Sequence, residues 1–205
     1  MNGKVIAVVG AGGKTTLIRR LAQKYRTEGR RVFVTTTTHM MAERGTLLDP
    51  AADEVAGELE REGYCMAGSS VPGTEKIGPL SEAAYRAGCE AADLILVEAD
   101  GSAHHLLKYP ADYEPVIPEN TEETIVVMGA DAAGMKVRDA VHRYELACEY
   151  LGLSPDDAVT DDMILRLAGE GYSKPLHQRY PSVRIITVLS RRGEQKREYE
   201  IYEEH

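Results

Sequence analysis

Val5-Ile6-Ala7-Val8-Val9-Gly10-Ala11-Gly12-Gly13-Lys14-Thr15-Thr16 decides how the rest of the chain is read. Five consecutive apolar residues predict a buried strand. Three glycines in four positions follow, then a lysine and two threonines. Leu17, Ile18, Leu21 and Tyr25 come next at spacings of three and four, which predicts a helix from about Thr15 to Arg26 that stops near Gly29. Strand, glycine turn, Lys-Thr and helix is the layout of a phosphate-binding loop. Glycines let backbone N–H groups turn inward without Cβ clashes, and the helix N-terminus adds unpaired donors and partial positive charge. Gly10, Ala11, Gly12, Gly13, Lys14, Thr15 and Thr16 are therefore the expected nucleotide contacts. Lys14 is placed on the outer phosphates and the Thr15 hydroxyl on Mg²⁺.

The spacing departs from the common form of this loop. Four residues usually separate the first glycine from the Gly-Lys pair, and here Val8 stands in that first place. Gly10-Ala11-Gly12-Gly13-Lys14-Thr15 has two residues between, a shorter loop that resembles the Gly-x-x-Gly-Lys-Thr of Mur-type ligases. The competing reading is a glycine-rich strand–helix turn with an incidental lysine. The order of all four features favours phosphate.

The 205 residues suffice for one α/β domain with a substantial core, or for one domain with a small appendage. With no Trp and a single Phe, Phe33, that core must be mostly aliphatic. The net charge of −9 argues against duplex nucleic acid or an anionic membrane surface as partner, yet leaves room for one local positive site. Cys65, Cys89 and Cys148 are odd in number and far apart, so no disulfide framework is expected. No apolar stretch approaches ~18 residues, and the start lacks a signal-peptide layout. The expectation is a cytoplasmic protein.

Working outward, Arg31–Thr38 predicts the second strand. Its four threonines are either β-branched filler or, with Thr37, Thr38 and His39 at the C-terminal end, hydroxyls at the edge where open parallel sheets bind ligands. Residues 40–60 give no clear pattern. Ala51–Glu62 has helical composition, Tyr64–Ala67 reads as a short strand and Gly68–Gly78 as loop. Ser81 caps a helix with a small-residue face of Ala83, Ala84, Ala87 and Ala91, in which Gly88 is a weak point.

Asp93-Leu94-Ile95-Leu96-Val97-Glu98-Ala99-Asp100-Gly101 is the second informative stretch. A carboxylate ending a buried strand suits a Mg²⁺ site or activation of a water. Residues two apart in a strand share a face, so Glu98 and Asp100 both reach the loop if the strand continues that far. The alternative is that the strand simply ends in solvated acids; beside the glycine loop the site reading prevails. His104 and His105 are adjacent, and neighbours seldom converge on one ion, so no dedicated metal site is expected there. Lys108 is either a neutraliser of phosphate or substrate acid, or a solvated loop lysine. The prolines of Asp112–Pro118 exclude a helix interior.

Thr124–Ala130 predicts a further buried strand and Asp139–Leu151 an amphipathic helix. Thr160 caps a helix that runs to Gly169, and Val183–Leu189 predicts the last strand. Residues 1–190 then form one nucleotide-binding domain, and residues 191–205 a charged C-terminal tail, either frayed or a solvated helix. Five apolar strands alternating with helices predict an α/β fold: a three-layer, doubly wound, mostly parallel sheet resembling the P-loop NTPases.

Beyond the loop, several stretches resemble the YqeC-type family of selenium-dependent hydroxylase accessory proteins. They are Thr35-Thr36-Thr37-Thr38-His39, Val97-Glu98-Ala99-Asp100-Gly101-Ser102, Lys108, Glu114-Pro115-Val116-Ile117-Pro118, Gly129-Ala130-Asp131 and Val141-His142-Arg143. The likeness spans roughly residues 3–189. One departure stands out: the last strand in that family runs into an Asn-Gln/Lys-x-Asp stretch, whereas Ser190-Arg191-Arg192-Gly193 follows Leu189 here. The resemblance implies a nucleotide-binding factor in the maturation of molybdenum hydroxylases that need selenium.

The residues and the resemblance together give an expected site. Lys14, Glu98 and Asp100 are the catalytic candidates. Thr15, Glu98 and Asp100 are the candidate Mg²⁺ ligands, and Thr37, His39 and Lys108 join the loop in holding ATP or GTP or a second substrate. The expected partners are a nucleotide and a molybdenum hydroxylase or its cofactor. An NTPase or phosphoryl- or nucleotidyl-transferring factor is the leading expectation. A nucleotide-gated client- or cofactor-binding module and a Mur-like ATP-dependent ligase are the alternatives.

Overall fold

The computed structural model describes residues 3–194 and 196–202. The chain divides into two compact units. The first comprises the residues up to Val8, Thr15–Asp100 and Val116–Glu122; the second comprises Val9–Lys14, Gly101–Pro115 and the chain from Glu123 onward.

In the first unit the elements run β1 (Lys4–Gly10), α1 (Lys14–Thr27), β2 (Val32–Thr36), β3 (Met40–Met41), β4 (Leu47–Leu48), α2 (Ala52–Glu62), β5 (Tyr64–Ser70), β6 (Lys76–Gly78), α3 (Glu82–Ala91) and β7 (Leu94–Glu98). The strand order is β1-β7-β2-β5-β6-β3, with β4 beside β5. β1, β7, β2 and β5 are parallel; only β6 with its neighbours β5 and β3 runs antiparallel. β2 and β7 are buried throughout, as strands covered on both faces must be, which explains their continuous apolar runs.

The helices follow their sequence periods. Val55 and Leu59, four apart, are the buried positions of α2. Ser81 caps α3 by accepting the Ala84 N–H. The buried face of α3 is Ala84, Gly88 and Cys89. Gly88 is thus a packing residue: a Cβ there would lie 2.3 Å from Cε1 of Phe33, whose ring is fully buried. Gly88→Ala gains ~1 kcal/mol of helix propensity but overpacks a ring that cannot swing away. The expected result is a net loss of about 1–2 kcal/mol in the denaturant midpoint stability; an unchanged or raised midpoint would refute this packing role.

The second unit continues with β8 (Leu107–Lys108), β9 (Glu123–Gly129), α4 (Val137–Ala140), β10 (Val141–His142), α5 (Tyr144–Leu151), α6 (Asp161–Ala168), α7 (Lys174–Arg179), β11 (Arg184–Arg192) and β12 (Arg197–Tyr202). β9 and β11 pair in parallel from Glu123↔Arg184 to Gly129↔Ser190, and β12 lies antiparallel on β11. β8 and β10 form a separate parallel pair.

Both units are mixed α/β with mostly parallel sheet, as expected. Four local expectations are corrected. Residues 68–78 are not all loop: β5 extends to Ser70 and turns back through β6. The helix expected over 139–151 is broken into α4 and α5 because Arg143 adopts φ +61°, and the residues before it pair with β8. Gly169 does not stop α6; it keeps right-handed helical geometry and leads through a wide π-type turn, Gly169–Ser173, into α7. Tyr172, with no exposure, pins that turn. Finally, residues 197–202 of the expected tail form an edge strand rather than a frayed end or helix, while residues 195 and 203–205 lie outside the described residues.

Candidate nucleotide site

In the first unit, Glu98 ends β7 between two parallel neighbours, opposite Val8 of β1 and Thr36 of β2. It is 6% exposed. Thr15, in the first turn of α1, donates its hydroxyl to Glu98 Oε2 at 2.9 Å. The two groups expected to share a Mg²⁺ shell are thus in contact. The backbone of Glu98 is also held: its carbonyl accepts the Thr36 hydroxyl at 2.7 Å and the Thr37 N–H at 3.1 Å. Thr35 and Thr36 are buried within β2, whereas Thr37 falls just past the strand and donates its hydroxyl to Val116 O at 2.5 Å. His39 is exposed beyond it. Strand β7 stops at Glu98, so the shared-face argument does not apply to Asp100, which is nevertheless 1% exposed.

The glycine loop itself, Gly10–Lys14, is described with the second unit. Gly10 has φ +86° and Gly12 φ +78°, a region side-chain-bearing residues rarely adopt. Both also approach other backbone: a Cβ would meet Val127 O at 2.2 Å from Gly10, and Leu106 O at 2.5 Å from Gly12. Ala11 N–H donates to Val127 O at 2.8 Å, tying the loop to β9.

Residues that sequence reasoning did not connect with the loop hold its carbonyls. Gly12 O accepts Ser190 Oγ at 2.7 Å and Arg197 Nη1 at 3.0 Å; Gly13 O accepts the Tyr199 hydroxyl at 3.2 Å. Arg197 is itself steered by Ser190 Oγ at 2.8 Å and by Asp131 at 3.4 Å. A peptide's C=O and the next N–H point in opposite directions. Fixing the Gly12 and Gly13 carbonyls therefore sets where the Gly13 and Lys14 N–H groups point. No sequence motif announces this buttress, since Ser190, Arg197 and Tyr199 sit where the chain departs from the family pattern.

Lys14 is 5% exposed and donates to Gly10 O at 2.8 Å and to Ser102 Oγ at 3.4 Å. Lys108 has no exposure; it donates to Gly101 O at 2.6 Å and pairs with Glu114 at 3.0 Å. Arg143 binds the other Glu114 oxygen at 3.1 Å. Lys108 and Glu114, close in sequence, thus meet Arg143 from 29 residues further on, next to the Gly101 carbonyl that Lys108 holds. His105 and His142 lie beside them with ring centres 5.4 Å apart. Burial, then the charges of Lys108 and Arg143, push the His142 pKa down. Among the described residues no group of three His, Cys, Asp or Glu side chains is arranged to hold a metal, and no helix is long and apolar enough to cross a membrane.

The model of the family described as YqeC protein matches residues 6–145. The chain belongs to the YqeC family. A relative from Escherichia coli (strain K12), described as uncharacterized protein YqeC, is 38% identical over 162 residues, covering 74% of this chain and 62% of its own length. The chain thus spans less than two thirds of that YqeC relative. No solved structure matches. The YqeC match includes the glycine loop, Glu98–Ser102, Lys108, Glu114–Pro118 and Val141–Arg143. The carbonyl buttress from Ser190, Arg197 and Tyr199 lies beyond it.

Proposed function

We propose that this YqeC-family chain is a P-loop NTPase-like protein that binds ATP or GTP with Mg²⁺. The reading includes hydrolysis or transfer of the terminal phosphate. The observation that carries it is the Thr15 hydroxyl on the Glu98 carboxylate at 2.9 Å. A hydroxyl at the start of a helix and a buried acid at the end of a strand form the donor pair that P-loop proteins use for Mg²⁺ and its waters. The residues fit the ion: both are oxygen donors, the kind Mg²⁺ prefers. Mg²⁺ bound there would neutralise the phosphate charge that builds up in transfer.

The chain's own groups do the rest. N–H groups of the glycine loop hold phosphate oxygens, oriented by the fixed carbonyls of Gly12 and Gly13. Lys14 exchanges the Gly10 carbonyl for a phosphate oxygen and stabilises charge on the transferred group. Thr36 and Thr37 keep Glu98 in place through its backbone. Lys108 and Glu114 hold the Gly101-Ser102 turn that Lys14 also touches, so Lys108 acts on the turn. The family resemblance adds the process: maturation of selenium-dependent molybdenum hydroxylases, with the hydroxylase or its cofactor as client.

Glu98→Gln keeps the shape and the Thr15 contact but removes the charge. It is expected to weaken Mg²⁺-dependent nucleotide binding about tenfold, while binding without metal changes little. Calorimetric titration with and without Mg²⁺ checks this; equal Mg²⁺ dependence in both proteins would remove Glu98 from the site. Multiple-turnover phosphate release, with and without a hydroxylase client, separates a turning-over NTPase from a nucleotide-gated clamp.

A further inference from the structure

Arg197 reaches the glycine loop from β12, beyond the residues that the family model matches. Its side chain is 16% exposed. A guanidinium carries five N–H donors in a fixed fork. Among the described residues a single nitrogen, Nη1, makes every bond: to Gly12 O at 3.0 Å, to Ser190 Oγ at 2.8 Å and to Asp131 Oδ2 at 3.4 Å. Ser190 has no exposure and donates its own proton to Gly12 O at 2.7 Å. The Gly12 carbonyl thus accepts twice from one linked set, directly from the cation and through a hydroxyl that the cation polarises. The fit is close: a Cβ on Gly13 would fall on Ser190 Oγ and lie 3.2 Å from Arg197 Cδ.

Two further features decide what this arrangement does. The first is charge. Asp131 is the carboxylate beside Arg197, yet both its oxygens accept the Arg192 N–H, at 3.1 and 3.2 Å. It also stands farther from Nη1 than the Gly12 carbonyl does. The carbonyl is therefore the nearer pole for the cation, whose charge Asp131 offsets only in part. The second is an open donor. The Gly13 N–H belongs to the same peptide as the Gly12 carbonyl and points the opposite way. It has no hydrogen-bond partner among the described residues. Hydrogen bonds linked in a chain polarise one another, so a bond that draws electron density onto a peptide's C=O strengthens its N–H as a donor. A charged donor does this more strongly than a neutral one.

We infer, on the phosphate reading of the loop, that Arg197 is a positioning residue whose charge, delivered to the Gly12 carbonyl, primes the Gly13 N–H to grip a phosphate oxygen. A neutral donor would hold the carbonyl in place; the cation also raises the donor strength of the opposite N–H. In a chain of net charge −9 the loop depends on local positive groups to attract an anion. Arg197 supplies one from behind, on the carbonyl side of the peptide. It therefore acts through the backbone, without touching the ligand.

The test is calorimetric titration of ATP and of tripolyphosphate into the full chain, beside amide NMR spectra of the unliganded chain, which also report the fold of each variant. Arg197→Gln keeps a hydrogen-bonding side chain and removes the charge. It should lose about fivefold in affinity for both ligands, and the Gly13 amide nitrogen signal should move upfield. Arg197→Lys restores the charge and should recover most of both effects. Ser190→Ala removes the relay but leaves the direct bond, and should lose less than Arg197→Gln. Arg191→Gln, exposed on β11, removes one charge without touching the loop and should bind as wild type does. Equal affinity in wild type and Arg197→Gln would overturn the inference and leave the loop reading untouched. So would an unmoved Gly13 signal, Arg197→Lys binding no tighter than Arg197→Gln, or an equal loss in Arg191→Gln. A wild-type chain that binds neither ligand would instead overturn the loop reading itself, and the inference with it.

Discussion

Lys14→Ala is expected to weaken nucleotide binding about a hundredfold. The ammonium is placed by the loop itself, on Gly10 O at 2.8 Å, and by Ser102 Oγ on the adjoining turn. Charge-assisted hydrogen bonds to a phosphate contribute ~2–3 kcal/mol, which corresponds to that loss. The effect should grow with the number of phosphates: large for the triphosphate, smaller for the diphosphate. The fold should survive, because the truncated side chain leaves the glycine backbone and its buttress intact. Calorimetry on wild type and variant, with circular dichroism as the folding control, measures both. Equal affinity in the two proteins would mean that the glycine loop is a structural turn.

Gly10→Ala is expected to have the largest effect on stability. Two separate penalties meet at that position. A residue with a Cβ at φ +86° loses about 1–2 kcal/mol against its relaxed backbone. The same Cβ would lie 2.2 Å from Val127 O, a backbone atom within β9, so no side-chain rotation relieves it. Overpacking of this kind costs a further ~1–3 kcal/mol. A total near 3 kcal/mol should lower the thermal midpoint by roughly 6–12 °C in a chain of this size, visible by calorimetric melting. Gly29→Ala is the control: that glycine also has positive φ, but nothing lies within 4 Å of its Cβ position, so only the backbone penalty applies.

The sequence-level reading succeeds where a local pattern carries the information. β1, β2, β7, β9 and β11 are apolar runs, and each forms a strand. Ser81 and Thr160 cap helices through hydroxyls that accept the third N–H, as their positions announce. The glycine turn after β1 and the acid that ends β7 were legible because each is a local pattern, glycines at positive φ and a carboxylate closing an apolar run. What escaped depends on partners distant in sequence. β12 has few apolar residues, since an edge strand needs only neighbours to pair with. The kink at Arg143 comes from pairing of Val141-His142 with Leu107-Lys108, thirty-odd residues away. Lys108 reads in sequence either as a neutraliser of phosphate or substrate acid or as a solvated loop lysine; it is buried against Glu114 and the Gly101 carbonyl, partners no local pattern names. Ser190, Arg197 and Tyr199 touch the loop across more than 170 residues, a relation no spacing rule encodes.

The central proposal is that Thr15 and Glu98 hold Mg²⁺ for a bound nucleotide. The most direct measurement is calorimetric titration of ATP and GTP into the wild-type chain, with Mg²⁺ and again with the metal chelated. The account predicts saturable one-to-one binding of at least one of the two, tightened about tenfold or more by Mg²⁺. No heat of binding from either nucleotide, or binding indifferent to Mg²⁺, would contradict it.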